Sequence, residues 1–379
     1  MAPPPSPMTA PELMDDVTAE ILLRLPPEEL ELLFRAALVC KPWLRVLCDP
    51  AFLRRFRAFH GTPPLLGLLH RLQILQGNPE PRFAPTTAVP AFPYPVADGR
   101  RSWALDCRHG RVFICVFGDK GVDYLVWDPV TGDRQVLPKP GIRWMACSAV
   151  VLCAAAGCSH LDCHGGPFRV VFVGSDDMID IIWASVYSSE TGAWSTPTSL
   201  DNGRDFYVLA RRGALIGAEV FFSIARATGI VKYDWGKNCL SVANPPPPAT
   251  YNGWVALMEM EDSSLGLAGI DDSRIHLWSR KVMTEGAAEW VHCRIIELET
   301  VMPMADPCNG ACVVGFAEGV GVIFVKTSAG LFAMELKSGR VRKVGEPGVY
   351  FSVLPYMSFY TPGCGRLSLQ ARAPMPTDL

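Results

Sequence analysis

Between residues 13 and 59, apolar side chains recur at the spacing of helices with one buried face. One segment places them at i, i+3, i+4, i+7 and i+8, which is the pattern of an amphipathic helix. These residues are Leu30, Leu33, Phe34, Ala37 and Leu38. Prolines at positions 26, 27, 42 and 50 divide the region, because proline stops one helix and suits the first turn of the next. The pattern predicts three or four short helices, with Asp15 or Asp16 capping the first and Asp49 capping the last.

From Ser102 onward the pattern changes to short runs of β-branched and aromatic residues, each followed by a turn. A strand–turn–strand pattern recurs five times, with turn glycines at positions 132, 192, 236, 286 and 339. These glycines are 60, 44, 50 and 53 residues apart, close to the length of a four-stranded propeller blade. An aromatic residue before four of the turns is predicted to fill the space between blades: Trp127, Tyr187, Tyr233 and Trp278. The alternative is an irregular β-sandwich in which the spacing is coincidental.

We therefore predict an α+β multidomain chain, with a small all-α N-terminal module followed by an all-β propeller-like domain of about six blades. Five blades come from the glycine turns, and the connector together with residues 349–361 would supply an incomplete sixth. The connector has many prolines, with residues 65–69 as a possible strand. The predicted segments are a disordered Pro-rich tail (1–12), the helical module (13–59), the Pro-rich connector (60–101), the β domain (102–365) and a flexible tail (366–379).

Composition narrows the classes of function. The 379 residues are 49% apolar and 19% charged, which indicates a large buried core. The net charge of −3 argues against a general nucleic-acid binder or a protein of anionic membrane surfaces. The first residues lack the basic start and apolar stretch of a signal peptide. The 13 cysteines are an odd number without any N-glycosylation sequon, so we expect free thiols in the cytoplasm and/or nucleus.

No motif of a known catalytic site is present. The chain has no nucleophile elbow, zinc-peptidase, phosphate-loop or dinucleotide signature. One cluster of metal-ligand types lies within twelve residues: Cys153, Cys158, His160, Cys163 and His164. Its spacing is irregular compared with the paired cysteines of most zinc sites. We therefore expect no catalytic residue, no metal and no cofactor.

Three stretches of the helical region, DDVTAEILLRLPPEEL, RAALVCKPW and DPAFLRRF, resemble the F-box, most closely that of plant and especially grass proteins. The resemblance implies docking on a Skp-type adaptor, which joins a cullin-RING ubiquitin ligase. By position match, the residues that would contact the adaptor or support the contact are Leu13, Ile21, Leu22, Leu25, Pro26, Val39, Cys40, Trp43 and Leu47. The family usually opens with Leu-Pro, whereas Leu13 is followed here by Met14.

The β region resembles the propeller-like domain that follows the F-box in many grass proteins, through YLVWDPVTGDRQVLPKP, GFAEGVGVIFVKTSAGLFAMELKSGRVRKVGE and LPYMSFYTP. Together the resemblances imply a non-catalytic substrate receptor of a Skp–cullin–F-box ligase, which recruits a still unknown target protein. A ligase-independent scaffold or regulatory binding protein is the alternative, which Met14 keeps open. We expect the target to bind loops of the propeller rather than blade flanks. The candidate loops are 159–167, 175–180, 200–205, 244–253 and 302–309, and the candidate residues are Asp176, Asp177, Arg204, Tyr251 and Trp254.

Overall fold

The computed structural model describes residues 14–73, 83–87, 92–96, 100–176, 180–201, 207–225, 229–247, 255–282, 288–303 and 310–361. The described chain opens with four helices: α1 (Asp15–Leu23), α2 (Leu30–Val39), α3 (Lys41–Cys48) and α4 (Pro50–His60). Asp49 caps α4 as predicted, because its Oδ1 accepts a hydrogen bond from the backbone N–H of Ala51 at 2.8 Å. The predicted cap of α1 was wrong, since Met14 occupies the N-cap position and Asp15 is already helical.

Strands form the rest of the described chain. Two of them follow the helices directly: β1 (Leu65–Gln73) and β2 (Phe83–Pro85). Blade 1 contains β3 (Ser102–Arg108), β4 (Arg111–Gly118), β5 (Gly121–Trp127) and β6 (Arg134–Leu137). Blade 2 contains β7 (Ala146–Cys153), β8 (Phe168–Asp176), β9 (Ile181–Ser188), β10 (Ala193–Trp194) and β11 (Thr198–Asp201).

The next three sheets repeat the same antiparallel order. Blade 3 contains β12 (Ala214–Ile216), β13 (Glu219–Ser223), β14 (Ile230–Asp234) and β15 (Cys239–Ala243). Blade 4 contains β16 (Val255–Glu259), β17 (Leu265–Asp271), β18 (Arg274–Val282) and β19 (Ala288–Glu297), followed by a 3-10 turn at Leu298–Thr300. Blade 5 contains β20 (Cys312–Ala317), β21 (Val322–Thr327), β22 (Gly330–Glu335) and β23 (Val341–Gly345).

The sixth blade joins the two ends of the β region. Its inner strand is β24 (Val349–Met357), which pairs antiparallel with β1, and β1 in turn pairs with β2. The blade thus takes two strands from the stretch 60–101, ahead of the predicted boundary at residue 102. Pairing early and late strands closes the ring and leaves no open sheet edge between blades 5 and 1. The structure confirms the predicted architecture of helices followed by a six-bladed propeller.

A separate apolar cluster fills each junction between neighbouring blades. Trp127, Tyr187 and Tyr233 are at most 2% exposed and lie in three of these clusters, which confirms the predicted role of the aromatics before the turns. Trp278 is partly buried against the cluster between blades 3 and 4. Where blades 5 and 6 meet, a Cβ on Gly315 would stand 2.3 Å from the carbonyl oxygen of Val353, so only glycine fits there.

The helices share a core with the closure of the propeller. Buried residues of α1, α2 and α4 belong to the same apolar cluster as residues of β1, β24 and blade 1. The Phe56 ring of α4 lies 6.1 Å from that of Phe359, and the Phe34 ring of α2 lies 5.9 Å from that of Tyr360. Arg57 of α4 also forms an ion pair with Asp162, in the loop between β7 and β8. The helical module is therefore packed on the propeller instead of hanging free.

We searched the described residues for a helix both long and apolar enough to cross a lipid bilayer, and found none.

Candidate functional site

The helical module has a second apolar surface, which faces solvent. On α1 and the residue before it, Met14 is 74%, Val17 39% and Ile21 45% exposed. At the end of α2, Leu38 is 85% and Val39 62% exposed. With Phe59, the module holds six of the fifteen exposed large apolar side chains in the described chain. Because a short helix needs only one apolar face to fold onto its neighbours, these residues form a candidate binding surface.

The structure separates the nine predicted adaptor residues by exposure. Ile21, Val39 and Cys40 are exposed and available to a partner. Leu25, Pro26 and Trp43 are half-buried, and Leu25 and Trp43 pack against the core shared with the propeller. Leu22 and Leu47 are fully buried. Leu13 lies outside the described residues.

Four exposed apolar residues were missed by reasoning from the sequence: Met14, Val17, Leu38 and Phe59. The i, i+4 spacing of Val17 and Ile21 was a usable signal, since it places them on one face of α1. The sequence pattern places Leu38 on the same apolar face as Leu30 and Leu33, whereas the structure leaves it 85% exposed. The buried stripe of α2 runs through Leu30, Leu33 and Ala37, and a residue one step further is turned about 100° away from it.

A network of buried charges lies at the centre of the propeller. Arg108 of β3 donates to Asp106 at 2.6 Å and to the two carboxylate oxygens of Glu318 at 2.7 and 3.0 Å. Arg212 donates to the same two carboxylates at 3.2 and 3.1 Å. Asp106 also accepts the backbone N–H of Val151 at 2.9 Å. The network therefore ties blades 1, 2 and 5 to the segment that leads into blade 3.

The charges of this network hold one another ionised. Burial raises the pKa of the Glu318 carboxyl, but Arg108 and Arg212 outweigh that effect and bring the pKa down to about 2. Burial likewise lowers the pKa of the Arg108 guanidinium, whereas Asp106 and Glu318 raise it above its usual value by more. No local pattern in the sequence indicated this grouping, because residues 106, 212 and 318 meet only when the ring closes.

The network borders a cavity of about 270 Å³ at the end of the propeller that carries the helices. Its lining includes Gly61–Pro63 just after α4, His109 and His160. Burial, together with the nearby His160, lowers the pKa of His109 to about 3, so this imidazole is neutral at physiological pH. The inner strands β3, β7, β20 and β24 all finish on this side of the propeller, near the cavity or the helices. They all begin on the opposite side, away from the helices.

Of the predicted target-binding residues, only Asp176 lies in the described chain, whereas Asp177, Arg204, Tyr251 and Trp254 lie outside it. Asp176 ends β8 opposite the start of β7, at the end of the propeller away from the helices. It borders an open groove of about 740 Å³ between blades 1 and 2. The groove is also lined by Phe117, Lys139, Arg143 and Trp144, which combine basic and aromatic side chains.

The predicted loops do not all lie at that end. Loop 159–167 lies at the helix end, where its Asp162 pairs with Arg57. The same loop brings four of the five clustered cysteine and histidine residues together, namely Cys153, Cys158, His160 and Cys163. The spacing predicted no metal site, yet the donor atoms of these four all lie within 4.8 Å of one another. His164 points elsewhere, with Nδ1 2.6 Å from Asp128 and Nε2 3.0 Å from Ser358.

Comparison with known families identifies both parts of the chain. Residues 103–363 match the β-propeller of the family described as F-box protein AT5G49610-like, and residues 12–55 match the F-box domain. A helical F-box module in front of a six-bladed propeller thus defines the class of protein. The chain belongs to the family of F-box proteins with an AT5G49610-like β-propeller.

Three solved structures show a distant likeness to the chain. One is the extracellular domain of the one-component system BT4673 from B. thetaiotaomicron, with 14% identity and a TM-score of 0.35 over 65% of this chain. The match spans 28% of the length of that protein. A chain of the nidogen–laminin complex shows 12% identity and a TM-score of 0.42, over 78% of this chain and 99% of that one. The uncharacterized protein lmo1340 from Listeria monocytogenes EGD-e shows 8% identity and a TM-score of 0.35, over 69% and 87%. A search of curated proteins found no match.

Proposed function

We propose that the chain is the substrate-receptor subunit of a Skp–cullin–F-box ubiquitin ligase. F-box domains bind Skp-type adaptors of cullin-RING ligases. The propeller is the other domain of the chain, and in this proposal it binds the target. The observation that carries the proposal is the solvent-facing apolar surface on a module whose other face is already buried against the propeller. Ile21, Leu38 and Val39 remain exposed to solvent after the module has packed on the propeller.

In this role the chain contributes position and no catalytic residue. The F-box would hold the adaptor at one end of the propeller, and the target would dock at the other end. Such tethering raises the effective concentration of target lysines near the charged ubiquitin carrier. The shared core between the helices and blade 6 would keep the two docking ends at a fixed distance. The proposed place of action is the cytoplasm and/or nucleus, where these ligases work.

The adaptor surface is tested with Val39→Asp in the full chain, co-expressed with a Skp-type adaptor from a plant. Val39 is 62% exposed, so the substitution leaves the fold intact but places a charge in the interface. We expect binding about 30-fold weaker, which corresponds to about 2 kcal/mol. Val136→Asp is the matched control, because Val136 is 71% exposed but lies on β6 of the propeller. Affinity is measured by titration calorimetry.

Equal adaptor binding by Val39→Asp and Val136→Asp would contradict the proposed surface. Absence of adaptor binding by the wild-type chain would favour the ligase-independent scaffold instead. Leu25 and Trp43 are poor test positions, because they pack against the shared core and their substitution would disturb the fold as well.

For the target, we propose the groove bordered by Asp176, Lys139 and Arg143. Its basic and aromatic lining suits an extended segment with acidic and apolar side chains. The test is proximity labelling in the source tissue with the wild-type chain and with Lys139→Glu/Arg143→Glu. Proteins labelled by the wild type and lost in the double variant are target candidates. Labelling that is unchanged in the double variant, with adaptor binding also unchanged, would exclude the groove.

A further inference from the structure

The long loop between β7 and β8 gathers a complete set of metal-ligand side chains. Cys153 ends β7, and Cys158, His160 and Cys163 lie in the loop that follows it. The three sulfur atoms and one imidazole nitrogen lie within 4.8 Å of one another. The proposed adaptor surface and the proposed target groove do not include these four residues.

Two distances within the cluster match those between ligands of a single tetrahedral ion. The Sγ atoms of Cys158 and Cys163 are 3.7 Å apart, and the Sγ of Cys163 is 3.7 Å from Nδ1 of His160. Zinc–sulfur bonds of about 2.3 Å and zinc–nitrogen bonds of about 2.0 Å, set at the tetrahedral angle, separate two thiolates by about 3.8 Å and a thiolate from an imidazole by about 3.5 Å. The observed pairs agree with both values.

The backbone of the loop holds these ligands in place. His160 has φ of +60°, an uncommon conformation for a residue other than glycine, and its backbone N–H donates to the Sγ of Cys158 at 3.4 Å. The guanidinium of Arg111 donates to the carbonyl oxygens of Cys163 and Gly166. Cys153 and Cys163 are buried, so their sulfur atoms are shielded from bulk water. The loop is therefore organised around the ligand cluster.

Neighbouring histidines have other partners and do not enlarge the set. His164 is held by Asp128 and Ser358, as described above. His109 stacks on the ring of His160 at 4.1 Å, and its Nδ1 accepts the backbone N–H of Cys153 at 3.0 Å. Four protein ligands fill a tetrahedral ion, which leaves no open position for substrate or water. This is the arrangement of structural zinc sites and not of catalytic ones.

We propose that Cys153, Cys158, His160 and Cys163 bind one structural Zn²⁺. Three thiolates and one imidazole are ligands that suit zinc. A Cys158–Cys163 disulfide would leave Cys153 and His160 without a role, and it is disfavoured in a reducing compartment. The ion would fasten the loop to the end of β7. Because Asp162 of this loop pairs with Arg57, the same ion would steady the contact between the propeller and α4.

The test is the metal content of the tag-free, full-length protein, purified with reductant and without chelator and measured by inductively coupled plasma mass spectrometry. We expect one zinc per chain. Cys163→Ser should abolish the zinc, whereas Cys293→Ser should keep it, because Cys293 is an exposed cysteine on β19 away from the cluster.

Cys163 is buried, so His160→Ala serves as the variant that removes an exposed ligand and preserves folding. This variant should release its zinc to a chelator at least tenfold faster than the wild type.

Two further readouts complement the metal content. Cobalt exchanged into the wild type should give the visible absorption of tetrahedral Co²⁺ bound to thiolates, and His160→Ala should change that spectrum. Zinc removal from the wild type should speed proteolytic cleavage within residues 154–167. Folded, reduced wild type without stoichiometric zinc would overturn the proposal. So would iron or copper in place of zinc, a Cys158–Cys163 disulfide in the purified protein, or full zinc occupancy in both ligand variants.

Discussion

The helical module and the propeller use apolar side chains in different ways. Among the described residues of the propeller, the junctions between blades bury most large apolar side chains, and the exposed ones are scattered. In the module, one apolar face packs on blade 6 while another faces solvent. The difference shows that four short helices cannot bury two apolar faces by themselves. The module buries one face against its own chain and leaves the other exposed to solvent.

Charges differ between the two regions as well. Ion pairs within the module, such as Glu31–Arg35, are exposed on both partners. In the propeller, Asp106, Arg108 and Glu318 pair at the centre with little exposure. Exposed pairs contribute little to stability, whereas removing one partner of a buried pair leaves an uncompensated charge. Substitution of one charge should therefore cost little in the module and much more at the centre of the propeller.

The largest effect should follow from opening the ring. Truncation before Val349 removes β24, and with it the inner strand of blade 6 and the rings of Phe359 and Tyr360 that contact the helices. We expect both regions to fail to fold, measured as loss of soluble monomer by gel filtration and loss of the thermal transition. Truncation after Thr361 is the control and should fold. A soluble, monomeric and equally stable chain without β24 would contradict closure by this strand.

The next prediction compares the two apolar faces of the module, one buried and one exposed. Phe56 is 1% exposed in the shared core, and Phe59, three residues later on the same helix, is 55% exposed. Phe56→Ala should destabilise the whole chain by about 4 kcal/mol, because it leaves a cavity between α4 and blade 6. Phe59→Ala should change the free energy of unfolding by less than about 0.5 kcal/mol. Urea unfolding checks both. Similar costs for the two variants would mean that the faces are not distinct.

A third comparison concerns the charges. Glu318→Gln removes the carboxylate that faces two guanidinium groups at the centre of the propeller, and should cost about 3 kcal/mol. Glu31→Gln removes the equivalent group from an exposed pair, and should stay within about 0.5 kcal/mol. The measurement is again urea unfolding at neutral pH. Equal effects would show that the central network contributes no more than a surface pair.

The smallest effect is a pH dependence of the closing strand. His70 of β1 lies edge-on to Tyr350 at 5.3 Å, its Nε2 has no hydrogen-bond partner, and burial lowers its pKa from 6.5 to about 4. Since the folded pKa lies below the unfolded one, the unfolded chain binds the proton first and stability falls as pH drops from 6.5 towards 4. For this group the loss is about 2 kcal/mol between pH 7 and pH 5.

His70→Phe provides the comparison for this pH dependence, because it keeps a ring beside Tyr350 but removes the titrating group. Between pH 7 and pH 5, the free energy of unfolding should fall by about 2 kcal/mol less in this variant than in the wild type. An unchanged pH dependence would assign the acid sensitivity to other groups, such as His109.

By itself, the sequence determined the type and order of the elements. Helical spacing and prolines predicted three or four short helices, and the glycine turns with their preceding aromatics predicted five of the six blades. These signals are local: each depends on residues within one or two turns of one another. The F-box resemblance also identified which helices carry the candidate surface.

Only the tertiary structure decided which residues face a partner and which distant ones meet. Leu22 and Ile21 are neighbours of similar chemistry, yet one is buried against the propeller and the other is exposed. Asp106, Arg212 and Glu318 lie far apart in the chain and come together at the centre of the ring. Cys153 and Cys163 have irregular spacing, yet a loop with a left-handed His160 brings them within reach of one ion. Such groupings depend on how the ring closes and how the loop turns, and no local pattern of residues encodes either.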